Sequence, residues 1–142
     1  MSQSSKLATG CGHQHLTWYG ALWSLPCTLV GIGFALLSGV LPLYDRGLLV
    51  AESRRGLAYL TLVRRGFTAI TFGRVVIAVK PLTAELRQHE EHHVRQYGLL
   101  GVLFFPLYLF LTAINGYRAN PFEEAARRCA ERFVGREEKH GT

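Results

Sequence analysis

Three histidines and two glutamates occupy five consecutive positions of "QHEEHHVRQYG" (residues 88–98): His89, Glu90, Glu91, His92 and His93. On a helix, positions four apart share a face. The imidazoles of His89 and His93 can then grip one metal ion, with Glu90 beside a water held there. Zinc suits two nitrogens and a carboxylate, and leaves a fourth position for a water whose pKa falls to roughly 7. Glu90 would act as general base and return the proton to a leaving amine. That is the chemistry of peptide-bond hydrolysis, with a peptide or protein as substrate.

A third ligand has to come from farther along, where Glu123, Glu124, Glu131 and His140 are the candidates. Glu123 opens a Glu-x-x-Ala pattern in "NPFEEAARRCAERFVG" (residues 120–135), thirty residues after His93. It is also the third residue of a helix headed by Asn120 and Pro121, where a capping box asks for a glutamate. Ligand and cap compete for this one carboxylate. Tyr97, Tyr117 and Arg118 are candidates for stabilising an oxyanion.

Other chemistries fit less well. His89, His92 and His93 also read as HxxHH, the box of membrane di-iron oxidoreductases, but only His13, His15 and His140 remain to build further boxes. A ferritin-like di-iron bundle needs two Glu-x-x-His pairs, and Glu90 with His93 is a single one. The rival that survives is a non-catalytic metal-binding or scaffold membrane protein. The i,i+4 pairs Glu123–Arg127, Glu124–Arg128 and Arg127–Glu131 would suit a solvated helix with no chemistry.

Several elements must position these residues. "FTAITF" and "VVIAV", rich in β-branched and aromatic residues and separated by Gly73-Arg74, predict a β-hairpin. "GLLVAES" (47–53) reads as a short strand after a turn at Asp45-Arg46-Gly47, while "GLAYLTLV" (56–63) is ambiguous between strand and helix. Thr83 caps the helix that carries the histidines. An uncharged stretch follows from Gln96 to Tyr117, with Pro106 inside it. Crossing a bilayer there would strand Glu123 roughly 30 Å from His93. A metal site therefore requires a helical hairpin, with the reversal expected at Pro106.

A second run without Asp, Glu, Lys or Arg spans Leu16 to Tyr44. It exceeds the ~20 residues that cross a bilayer and has Trp18, Tyr19, Trp23 and Tyr44 near its ends. It predicts an N-terminal membrane helix in contact with lipid. Arg46, Arg54 and Arg55 follow it, which by the positive-inside bias leaves the C-terminal domain in the cytoplasm, at a bacterial inner membrane. The chain divides into a flexible N-terminus (1–15), the hydrophobic segment (16–44), a metal-binding domain (45–135) and a frayed tail (136–142).

With 142 residues and a net charge of +6, the chain is one modest domain. Its arginines are dispersed and form no nucleic-acid signature, so no nucleic-acid partner is expected. Cys11, Cys27 and Cys129 are widely spaced, without CxxC, and read as reduced structural thiols.

The stretches "GFTAITFGRVVIA", "HEEHHVRQY" and "NPFEEAAR" together resemble small bacterial gluzincin-like proteins, zinc metallopeptidases of the HExxH type. The shared pattern is G-x-x-A-I-T-x-G, HExxHVRQY and NPFE-x-x-A, over residues 66 to about 128. The resemblance implies an α+β, zincin-like minimal domain: a β-hairpin sheet, the HExxH helix and two further helices. It also implies His89, His93 and Glu123 as zinc ligands, Glu90 as catalytic base, and an edge strand able to pair with an extended peptide. Arg127 stands where many gluzincins carry an Asp that orients a histidine ligand, so that support must come from elsewhere.

Overall fold

A computed structural model describes residues 18–140. The helices are α1 (Trp18–Trp23), α2 (Leu25–Leu37), α3 (Gly56–Arg64), α4 (Ala84–Leu100), α5 (Phe104–Asn115) and α6 (Pro121–His140). The strands are β1 (Leu43–Asp45), β2 (Leu48–Glu52), β3 (Ala69–Phe72) and β4 (Val75–Ala78). The class is α+β. The four strands form one mixed sheet in the order β1-β2-β4-β3, with β2 and β4 parallel and both hairpins antiparallel.

Both hairpins turn where the sequence marks them. Arg46 and Gly47 have positive φ (49° and 91°), and Gly73 has φ 60°, the backbone that two-residue hairpin loops require. Alternation along β4 divides the core. Val75 and Ile77 join Ala35, Ala51, Ala58 and Leu62 under α2 and α3, while Val76 packs with Leu48 and Val94 under α4. The ambiguous segment 56–63 is a helix, because the Ser38 hydroxyl accepts from the Ala58 N–H and caps its start.

The hydrophobic segment differs from a free-standing anchor. Backbone bonds carry the helical ladder across the α1–α2 junction, Ser24 to Gly20 O and Thr28 to Ser24 O, both at 3.0 Å. The rod is tied to the domain by small residues. A Cβ on Gly20 would meet the Gly98 backbone at 3.1 Å, and one on Gly31 would meet Phe72 and Val75 at 2.8 Å. Its last residues, Leu43 and Tyr44, leave as β1. The segment packs against the sheet and runs directly into it at β1.

The reversal before Glu123 also lies elsewhere than expected. Helical structure runs from Ala84 to Asn115 and is long and apolar enough, by length and composition, to cross a membrane. It bends at Gly101 (φ 58°, ψ −132°) through a short 3₁₀ turn, Gly101–Leu103. The Tyr108 ring then lies 6.2 Å from that of His93, whereas a straight helix would separate them by about 22 Å. Pro106 sits in the first turn of α5, where its missing N–H costs nothing. Glycine makes the bend because only it adopts this backbone cheaply.

Two more expectations shift. α6 continues through Gly135 to His140, since one glycine costs only about 1 kcal/mol in a helix. Cys129, buried on α6, is disulfide-bonded rather than reduced.

Candidate metal centre

His89 and His93 lie one turn apart on α4, and both Nε2 atoms turn toward α6. They are 3.2 Å from each other. Glu123, third residue of α6, faces both: Oε1 is 3.2 Å from His93 Nε2, and Oε2 is 3.3 Å from His89 Nε2. Ligand atoms about 2.05 Å from a tetrahedral zinc lie about 3.3 Å apart, so these separations match one face of such a site. Glu123 Oε2 is also buried with no hydrogen-bond partner; its contact with His89 has the distance of an ion pair but not the angles of a bond. A converging donor set with an orphaned carboxylate oxygen fits a cation. Among the described residues, His89, His93 and Glu123 are the group that could hold a metal ion.

The competition for Glu123 is decided by Asn120. Its Oδ1 accepts from the Phe122 N–H at 3.0 Å, and its Nδ2 donates to Tyr108 O and to Thr112 Oγ1. Fully buried, Asn120 both caps α6 and pins it to α5. The Asn120 N–H, from which a capping-box glutamate would accept, donates to Tyr117 O at 3.3 Å instead, and Glu123 faces the histidines. Glu124 pairs with Arg128 on the surface instead. His92 stays outside the group; its Nδ1 is buried without a partner. Burial, then His93, Arg95 and His89, lower its pKa to about 4. The HxxHH reading finds no support in this arrangement.

The orienting group missing at Arg127 is supplied by Gln96. Its Nε2 donates to Phe122 O at 3.1 Å, which turns Oε1 toward His93 Nδ1 at 2.8 Å. A carbonyl oxygen only accepts, so Nδ1 carries the hydrogen and Nε2 presents its lone pair to the site. Val94-x-Gln96 was visible as a motif, but its role was not. Burial works against a charged His93, yet its bond to Glu123 and the charge of Glu90 raise the pKa above the usual value. Burial likewise opposes a charged Glu123. Its close contacts with His89 and His93 outweigh that and hold the carboxyl well below the usual carboxylate range.

Glu90 is almost completely buried on the same helix and accepts a 2.6 Å bond from the Thr71 hydroxyl on β3. Tyr108 donates to Glu123 Oε1 at 2.6 Å. Neither partner was named from sequence. Thr71 lay inside the A-I-T motif, whereas Tyr108 had no signal, because only the bend at Gly101 brings it near. Of the oxyanion candidates, Tyr97 is buried against Phe104 at the inner cavity. Tyr117 and Arg118 line the cleft. Burial and then Glu123 push the Tyr117 hydroxyl up, so it remains a donor.

Two cavities share lining residues here. The outer one, about 780 Å³, lies between the approach to β3 and α6; the inner one, about 460 Å³, lies between β3 and α5. His89, Glu90 and Tyr117 line both, while His93 and Glu123 face the inner one. In comparisons with known proteins, no family model, no curated protein and no solved structure matches the chain.

Proposed function

We propose that the protein is a membrane-associated zinc metallopeptidase. The observation that carries this reading is the convergence of His89, His93 and Glu123 beside a glutamate of the same helix, in a cleft bounded by an edge strand. A zinc ion held by the three would polarise a substrate carbonyl and acidify a water molecule. Glu90 takes the proton from the attacking water and passes it to the leaving amine. Thr71 holds the Glu90 carboxylate in place, Gln96 fixes the His93 tautomer, and Tyr117 offers a hydroxyl to the developing oxyanion.

The membrane part rests on exposed apolar surface. Leu99, Phe110 and Ile114 of the α4–α5 bend, and Trp18, Leu22, Leu29 and Val30 of α1 and α2, are all more than half exposed. Apolar area on this scale marks an interaction face, and lipid suits it because both stretches lack charge.

A non-catalytic metal holder is the rival, favoured by one observation: Thr71 already occupies an oxygen of Glu90. Two measurements separate them. Detergent-purified protein should carry one zinc per chain, lost in His89→Ala and in His93→Ala. Glu90→Gln should keep the metal and lose cleavage of a quenched peptide library. Absence of stoichiometric metal, or turnover untouched by Glu90→Gln, refutes the proposal.

A further inference from the structure

The inner cavity has a chemical character that the zinc site alone does not require. β3 is an edge strand. The Val79 N–H donates to Thr68 O, and the register pairs Ile70 with Ile77 and Phe72 with Val75. Hydrogen-bonded rungs of an antiparallel pair recur at every second residue. They therefore fall at 68, 70 and 72, and the N–H and C=O of Ala69 and Thr71 point to the open edge. An extended chain pairing there would send successive side chains to opposite faces of the sheet.

One of those faces holds Thr71, Glu90 and the histidines. The other holds Phe34, Leu62, Ile70 and Phe72, and the inner cavity wraps the edge to reach both sets. Phe105 and Leu109 of α5 close its outer wall. At about 460 Å³ it falls within the ~300–1,000 Å³ range of pockets that seat small ligands, ample for one large side chain. The outer cavity is different: Arg65, Lys80, Arg118 and Arg127 line it together with Glu85, Glu90 and Glu131, so both signs of charge meet there.

We infer that the site takes an extended polypeptide whose residue next to the cleaved bond carries a bulky apolar side chain, seated against Phe34, Phe72, Phe105 and Leu109. The inference rests on the peptidase reading and supplies its substrate class. The cavity is continuous with the triad, which confines its occupant to a group attached to the reacting segment. Filling it with a small or charged side chain would leave apolar wall in contact with water, at ~25 cal/mol per Å².

Binding of fluorescent hexapeptides to the zinc-loaded Glu90→Gln full chain in detergent micelles tests this. Peptides with Phe, Leu, Ala or Glu at a single position are compared. Phe should bind at least tenfold more tightly than Ala or Glu. Leu109→Trp, which fills the cavity, should erase that ratio with zinc content intact and with micelle partitioning unchanged. Phe105→Ala, which enlarges it, should move the preference from Leu toward Trp. Equal binding of Phe and Ala peptides, or a ratio that survives Leu109→Trp, overturns the inference. Wild-type turnover of the same peptides is read separately. Selective binding without cleavage sinks the hydrolase and keeps the pocket; cleavage without selectivity does the reverse.

Discussion

Replacing Gln96 by Leu tests whether the metal centre depends on a residue that touches no ligand atom of the site directly. The side chain is buried and makes two bonds, one to His93 Nδ1 and one to Phe122 O. Leucine keeps the bulk and removes both. His93 can then flip its tautomer and place the hydrogen on Nε2, which removes its lone pair from the site. Loss of such an orienting partner weakens metal binding about 10–100-fold, or about 1.4–2.8 kcal/mol at 1.4 per decade. The orphaned Phe122 carbonyl, if still buried, costs a further ~1–3 kcal/mol of fold stability. Competition for zinc against a chromophoric chelator gives the affinity, and a thermal melt of the metal-free protein gives the second quantity. Gln88→Leu is the control, since Gln88 is equally buried on α4 but bonds Glu91. Its zinc affinity should stay within about threefold of wild type. Gln96→Glu should restore binding, because a carboxylate also accepts from Nδ1. If Gln96→Leu holds zinc as tightly as wild type, the orientation argument is wrong.

Three other outcomes follow from the structure. His93 has a pKa raised above 6.5, so its pairing stabilises the metal-free protein below 6.5 and is lost as pH rises through the raised value. Glu123, depressed below 4.5, contributes above 4.5 and loses that only as pH falls through its low value. A metal must displace the His93 proton, so affinity should rise about tenfold per pH unit near 6.5, with about one proton released per ion. Calorimetry in buffers of different ionisation enthalpy counts that proton, and a count near zero contradicts the assignment. Gly101→Ala forces an L-residue into φ 58° and drives a Cβ to 2.1 Å from the Trp23 ring, whereas Gly33→Ala on α2 meets open space. The first should cost more than about 2 kcal/mol and the second should add about 0.5–1, both read from melting curves; equal shifts would refute the hairpin geometry. Finally, changing Leu99, Phe110 and Ile114 together to Ser should reduce flotation with lipid vesicles at least tenfold while preserving zinc content, and undiminished flotation would place the lipid face elsewhere.

Much of the site was legible locally. Helical spacing put His89 and His93 on one face, and turn chemistry located Arg46-Gly47, Gly73-Arg74 and the Asn120-Pro121 helix start, because each depends on a few adjacent residues. Whether Glu123 serves as cap or ligand was not legible, for both roles use the same position. Asn120 decides it, by giving its own N–H to Tyr117 O and anchoring α6 to α5 through Tyr108 and Thr112. The reversal at Gly101 was equally hidden. Sequence favours proline as the breaker, yet Pro106 is harmless in a first turn, and the contact with Trp23 that demands a glycine spans 78 positions. The same holds for Thr71 and Tyr108, whose partners Glu90 and Glu123 are 19 and 15 residues away. Local chain geometry thus specified which side chains could gather at a metal site. Long-range packing determined which of their possible partners they meet, since a side chain with several satisfactory local bonds takes the one that the surrounding helices leave within reach.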